Sequence, residues 1–405
     1  MSFTSTSNLP RPVYAIAGGR AVSFLGDEIA LLAIAFRASS QLGHIGFAAV
    51  LIAGSLPLVA LAGPSGLLVD RVRTKPLLVT VSLIQAAICV GLAFAPGAAL
   101  IALVALLACG TSVISPAWQA LIPTIVAKEK LPAAFGLLQS SSAIGSLAGP
   151  AVGGLLVASF GFSTPLVIDA VSFVVLAVVA ASLSVDRIPA GASKAVSWAA
   201  VTAGFRIMAK NPMLRALTTS VLAFILTLGV VNVCEIFFVR TVLHAGPAAY
   251  GLLGLFMGAG AIITSALSEK IARKFLHPER VFVTGCALLC VTIFSFALSR
   301  SLYMAAPLSF VIGVGSALLN VNAVLLLSTH SNAVTRGRVF AAAQGMISAG
   351  TIVAVGVGGL LLTVFAPATV IIGGAIASLF ALALTAGALL RAPSELEESS
   401  EQVAA

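Results

Sequence analysis

A chain of 405 residues that is 60% hydrophobic and only 9% charged, with a mean hydropathy of +1.13, carries far more apolar surface than a water-soluble core of that size can hide. Lipid has to solvate much of it, which excludes a soluble enzyme or a soluble binding module. The net charge of +9 would suit nucleic acid only if the cations shared one soluble face, so their placement along the chain decides the matter.

A spanning helix needs about 20 mainly apolar residues. Apolar runs between charge or Pro/Gly breaks place spans near 12–37, 46–69, 77–96, 98–120, 134–159 and 164–185 in the first half. The second half supplies 213–240, 248–270, 281–299, 302–328, 339–364 and 367–390. These runs are apolar on every side, whereas barrel strands alternate over about ten residues. Helices satisfy their own backbone hydrogen bonds in hydrocarbon and open sheets do not. The sequence therefore predicts an all-α membrane protein with twelve transmembrane helices. The first run is read as a retained span rather than a signal peptide, because Asp27 and Glu28 interrupt it and further spans follow.

With the N-terminus inside, 18 of the 22 Lys and Arg fall in cytoplasmic segments, among them Arg11, Arg71, Arg73, Lys75, Lys128, Arg187 and Arg336. Arg37, Arg240 and Arg300 lie near outer ends, and Arg20 lies inside a span. The positive-inside rule thus accounts for the basicity and predicts a multi-pass protein of the cell inner (cytoplasmic) membrane with both termini cytoplasmic. No nucleic-acid partner is needed. Cys89, Cys109, Cys234, Cys286 and Cys290 lie in apolar runs without CxxC spacing, so neither a disulfide nor a metal site is expected, and no cofactor.

The chain repeats itself. A shift of 205 lays 139–156 on 344–361, matching Gln139 with Gln344, Gly145 with Gly350, and Gly153-Gly154 with Gly358-Gly359. A weaker match at a shift of 199 lays 66–75 on 265–274 and pairs Asp70 with Glu269. Six spans separate the copies, so the halves are parallel repeats: an N-terminal six-helix bundle over 1–185, a cytoplasmic linker over 186–212 and a C-terminal bundle over 213–390, followed by an acidic tail over 391–405. Two pseudo-symmetric bundles with a midplane cavity suit alternating access.

Three stretches, Arg20-x-x-Ser23-x-x-Gly26-Asp27, the loop from Gly66 to Lys75, and Ser115 to Phe173 with its Gly149-Pro150 element, resemble the major facilitator superfamily, and within it the drug:proton antiporters that include macrolide-efflux and enterobactin-exporter-type proteins. Span one carries Arg20-x-x-Ser23-x-x-Gly26-Asp27. The loop after span two, Gly66-x-Leu68-x-Asp70-Arg71-x-Arg73-Thr74-Lys75, is similar to the superfamily's loop signature, with Arg73 in place of its second glycine. The third runs from Ser115-Pro116-Ala117-Trp118 through Gly145-x-x-x-Gly149-Pro150-x-x-Gly153-Gly154 to Asp169 and Phe173. This resemblance implies the major facilitator fold, proton exchange, and an antiporter-type glycine motif that prevents proton leakage. It also implies a conformational latch at Gly66, Asp70, Arg71, Arg73 and Lys75.

The residues support parts of this on their own terms. Asp70 can pair with Arg and accept backbone N–H groups at a helix N-terminus; the plainer reading makes it and its cations solvated topology determinants. Gly145, Gly149 and Gly153 recur on one helix face and permit close helix approach, with Pro150 expected to bend the span. An ionisable group inside a span costs at least about 2.5–3.5 kcal/mol, so it usually faces a cavity or a partner. Asp27, near the midplane, is a candidate to take a proton from one side and release it to the other, with Arg20 two helical turns earlier on nearly the same face. A structural hydrogen bond is the competing reading. Glu28 is a second candidate or a helix-interface group, and Glu235, placed 207 residues after Glu28, is a substrate contact or an interfacial partner of Arg240. Asp169 is read as structural.

Candidate cavity residues are Phe24, Trp118, Gln119, Asn232, Phe237, Asn320 and Gln344, a lining suited to an amphipathic or hydrophobic compound. No HExxH, nucleophile motif or P-loop appears, so the chain is not read as an enzyme. The expectation is a monomeric secondary transporter in the lipid bilayer that exports a small molecule (drug, antibiotic or siderophore-like) against protons. A uniporter, symporter or lipid translocator of the same fold is the alternative.

Overall fold

A computed structural model of the chain describes residues 9–187, 205–274, 277–331 and 335–391. Every regular element among them is helical. The first half comprises α1 (Arg11–Gln41), α2 (Gly43–Ala60), α3 (Ala62–Val69), α4 (Thr74–Phe94), α5 (Gly97–Ile125), α6 (Leu131–Phe160) and α7 (Ser163–Ser182). The second comprises α8 (Pro212–Thr241), α9 (Pro247–Lys274), α10 (Pro278–Ala297), α11 (Leu302–Thr329), α12 (Arg336–Leu361) and α13 (Pro367–Arg391). Eleven of these helices are long and apolar enough to cross a membrane. α1 matches them in length but carries Arg20, Asp27, Glu28 and Arg37.

Local chemistry sets the boundaries. Proline leads α8, α9, α10 and α13, where its missing N–H costs nothing and its φ is already helical. Asn211 caps α8, its side-chain oxygen accepting from the N–H groups of Met213 (2.9 Å) and Leu214 (3.3 Å). Gly43 (φ 67°) turns the chain between α1 and α2, and Gly161 (φ 74°) does so between α6 and α7. The expected continuous span over 46–69 is two helices. Pro64 has no N–H to give to the preceding turn, so the ladder stops at Leu61 and restarts with Pro64 in the first turn of α3.

The chain divides into two compact units, Met1–Val196 with Ala245–Leu255, and Ser197–His244 with Phe256–Ala405. Of the sequence-derived linker, 188–204 lie outside the described residues, as do 392–405 of the tail. α9 starts in the first unit and ends in the second. Its opening turns pack on α6, where a side chain at Gly251 would run into the carbonyl of Pro150, and Tyr250 meets Phe36 edge to face at 5.5 Å.

Within the first unit the core lies where the N-terminal turns of α1 and α4 meet the C-terminal turns of α5 and α7. Val13, Ile16, Leu78, Trp118, Leu121 and Leu176 are buried there. Large apolar side chains such as Phe94, Leu155 and Leu384 stand outward, as a lipid solvent allows. In the second unit Phe238 of α8 packs on Phe296 of α10 at 5.2 Å.

The internal repeat is visible in how helices pair. Gly145 and Gly153 of α6 seat α1: a side-chain carbon at Gly145 would lie 2.9 Å from Leu25 N, and one at Gly153 would lie 3.0 Å from Ile29 Cα. Their sequence counterparts on α12 do the same for α8, Gly350 against Leu222 and Ile225, and Gly358 3.3 Å from Val230 Cα.

Candidate functional site

The helix pairing fixes which residues of the two units correspond. Ile29 and Val230 face equivalent glycines, an offset of 201 (230 − 29) between α1 and α8. Asp27 then corresponds to Leu228, Glu28 to Gly229 and Gly26 to Thr227. Glu235 corresponds to Ile34, so the 207-residue match of Glu28 with Glu235 is not a structural one. Between α8 and α13 of the second unit the side-chain contacts include hydroxyl pairs: Thr227 bonds Ser378, and Ser220 bonds Thr385 at 2.6 Å.

The charged cluster is built around Gly26. With no side chain there, α7 comes close enough that an added carbon would lie 2.6 Å from Asp169 Oδ1 and from Ser172 Oγ. Asp169 is 0% exposed, and it accepts from Cys89 Sγ of α4 at 3.3 Å and from Ser172 Oγ at 3.1 Å. Its place as a structural hydrogen-bonding group is therefore as expected. Its proximity to Asp27 was not read from the sequence, because 142 residues separate them (169 − 27) and only the packing of α1 on α7 joins them.

Asp27 lines two cavities of the first unit. One, about 170 Å³, extends from Asp27 toward the N-terminal end of α1 and is lined by Arg20, Phe24, Gln85, Thr111 and Trp118, among others. The other, about 420 Å³, extends toward the C-terminal end of α1 and includes Asp27, Ser55, Thr111 and Asp169. Arg20 and Asp27 thus share a cavity as their seven-residue spacing predicts, and the guanidinium lies 5.1 Å from the ring centre of Phe24. Glu28 points elsewhere. It lies against Gly149 and accepts from Ser146 Oγ of α6 at 3.2 Å, which makes it a helix-interface group.

The glycine motif serves two neighbours. Gly145, Gly149 and Gly153 receive α1, while Gly154 and Pro150 receive the start of α9. α6 continues as one helix through Pro150.

The loop after α3 is tied to the end of α7. Asp70 pairs with Arg187 at 2.9 Å, and Arg187 also donates to the carbonyl of Val69 at 3.0 Å. Arg73 pairs with Asp186 at 2.9 Å, the other oxygen of Asp186 accepts from the Lys75 N–H at 2.9 Å, and Lys75 Nζ donates to Leu183 O at 2.6 Å. Arg71 is exposed, and Gly66 has open space around it, so neither is held by this cluster. Asp186 and Arg187 were missed as partners. The Asp-Arg pair just past α7 mirrors Asp70-Arg71, and that echo was the available signal. Arg37, placed near an outer end by sequence, is 9% exposed and closes α4 by donating to Leu92 O (2.6 Å) and Ala95 O.

The remaining cavity candidates scatter. Phe24 and Trp118 share the 170 Å³ cavity, and Asn320 and Gln344 share one of about 110 Å³ in the second unit. Gln119 and Asn232 are exposed, Phe237 is buried, and Glu235 is half-buried on α8.

A sequence model of the family described as transmembrane secretion effector matches residues 21–404. The chain belongs to this family of the major facilitator superfamily. An uncharacterized major-facilitator-type transporter of Bacillus subtilis, YfiS, is 23% identical over 369 residues, covering 85% of each chain. Among solved structures, a point mutant of the nucleoside transporter NupG superposes with a TM-score of 0.77 at 14% identity, covering 93% of this chain and 100% of that one. A point mutant of the peptide transporter POT superposes at 0.74 and 13% identity, covering 94% and 95%. These likenesses establish the fold: twelve transmembrane helices in two pseudo-symmetric six-helix bundles. The chain is a multi-pass membrane transporter of the major facilitator type.

Proposed function

We propose that this transporter exports a small amphipathic or hydrophobic compound in exchange for protons by alternating access, with Asp27 as the group that carries the proton. The observation that supports this most is the position of Asp27, half-buried in a span and bordering a cavity toward each end of its unit. A carboxyl there can exchange its proton in either direction, and Arg20 offsets its charge when ionised. Its counterpart in the second unit, Leu228, has no group to carry a proton. Export, rather than import, is favoured by the family's description as a secretion effector.

The basic end of the first unit, with Arg73, Lys75, Asp70 and Arg187 in one cluster, is assigned to the cytoplasm, and both termini with it. The same cluster acts as the latch that sets the barrier to switching. The bilayer is that of the inner membrane, and the protein acts as a monomer.

The test is a susceptibility and accumulation screen of an efflux-deficient host across drugs, dyes and siderophores. Cells expressing the protein should accumulate less of at least one compound, and Asp27→Asn should abolish the pH-driven component. Undiminished pH-driven export by Asp27→Asn would exclude it as the coupling group. An unchanged accumulation of every compound would refute multidrug export.

A further inference from the structure

Among the described residues of the first unit, five buried side-chain polar atoms have no hydrogen-bond partner; Thr74 Oγ1 and Ser82 Oγ are two of them, and the other three belong to side chains lining one cavity. These three are Arg20 Nε, Gln85 Oε1 and Trp118 Nε1. Gln85 and Trp118 are each 1% exposed. Buried polar atoms are almost always satisfied, because leaving one without a partner costs about 1–3 kcal/mol. Three such atoms around one space of about 170 Å³ therefore point to an occupant that both donates and accepts. One water needs roughly 10–15 Å³ of such space, so the cavity has room for several. Water also fits the chemistry: two donors, one of them cationic, face one acceptor and the carboxyl of Asp27.

Gln85 is held for this task. Its amide nitrogen donates to Thr111 Oγ1 at 3.1 Å and to Leu107 O at 3.3 Å, which leaves its oxygen for the cavity. Thr111 lines the second cavity as well as the first, as Asp27 does. The second cavity, about 420 Å³, adds the hydroxyl of Ser55 and the carboxyl of Asp169.

We propose that the two cavities are hydrated half-paths for protons that meet at Asp27, and that Gln85 and Trp118 position the water chain on the side of the α1 N-terminus. This rests on the reading of Asp27 as the proton carrier and extends it with a route inside the first unit. In each transfer the carboxyl O–H of Asp27 breaks, the proton passes to a water oxygen and on through the chain, and the carboxylate left behind faces the Arg20 guanidinium. The reverse sequence reloads it from the other cavity.

The groups able to titrate around Asp27 are Arg20 and Glu28 on α1, Cys89 on α4 and Asp169 on α7. From α2, α5 and α6 the nearby polar groups are the hydroxyls of Ser55, Thr111 and Ser146. Of these, Glu28 is turned to α6, and Asp169 lies in the second cavity.

The experiment needs no transported compound. The chain has two tryptophans, so Trp198→Phe leaves Trp118 as the sole indole reporter. The purified full-length variant is mixed rapidly from neutral to acid pH, and its emission is followed in H2O and in D2O. A hydrated path predicts an emission change with a solvent isotope effect, a slower change after adding Gln85→Leu, and recovery with Gln85→Glu. Asp27→Asn should remove the change.

An emission insensitive to both pH and D2O, or a rate unaltered by Gln85→Leu, overturns the hydrated path. Should the path be intact while Asp27→Asn still exports with pH, the coupling assignment fails and the wet cavity stands. Thermal melting of each variant separates a slowed step from misfolding.

Discussion

Replacing Gly145 by alanine tests the seat of α1 on α6, on which the position of Asp27 depends. The added carbon would lie 2.9 Å from Phe24 Cβ and from Leu25 N, and 3.1 Å from Phe24 C. Ordinary contact begins at 3.4 Å, so the helices must part by about 0.5 Å (3.4 − 2.9). Two of the three atoms in the way are backbone, so no rotamer change relieves the clash. Overpacking of this kind costs about 1–3 kcal/mol. Gly136 on the same helix provides the matched control, because nothing lies within 4 Å of a side chain there. Gly136→Ala should instead stabilise by about 0.5–1 kcal/mol through helix propensity. Thermal melting of the detergent-purified protein measures both: a fall of several degrees for Gly145→Ala and no fall for Gly136→Ala. Transport should drop with Gly145→Ala, since Phe24 and Asp27 move together. Equal melting temperatures for the two variants would refute the close-contact reasoning.

Other perturbations follow from the same geometry. Asp70→Asn should lower stability by about 0.5–1 kcal/mol, as for a partly exposed ion pair, and the exchange Asp70→Arg with Arg187→Asp should recover part of it in a double-mutant cycle. Absence of coupling between the two positions in melting would show that the loop is not held by this pair. Arg37→Ala removes charged hydrogen bonds to Leu92 O and Ala95 O and should cost about 2–3 kcal/mol, with Arg37→Lys intermediate because one point charge replaces a two-pronged fork. A melting temperature unchanged by Arg37→Ala would contradict its role at the end of α4. Gly66→Ala should leave both melting and transport near wild type, because its surroundings are open.

Much of this protein could be read before any packing was known. Apolar runs delimited nearly every helix to within a few residues, because hydrocarbon demands long uninterrupted helices. α2 and α3 are the exception, where one proline near the end of a run sufficed to divide it. The glycines at 145 and 153, with their copies at 350 and 358, announced the repeat and the helix pairs that use them. The spacing of Arg20 and Asp27 placed both on one face.

Partnership across helices was not legible. Asp70 is answered by Arg187 and Arg73 by Asp186, more than 100 residues away, while the adjacent Arg71 takes no part. Glu28, next to Asp27 in sequence, turns to α6, and Asp169 enters the cavity from α7.

The sequence by itself determined that the chain spans a membrane, where its helices run, that it is duplicated, and which charges lie within spans. These follow from the solvent and the helical period, which act locally on each segment. Only the tertiary structure decided that α1 and α7 bring Asp27 and Asp169 to one cavity, that Asp27 borders two cavities, and that Gln85 and Trp118 face one of them. Helix rotation and pairing set those facts, and they depend on contacts between segments that no local pattern encodes.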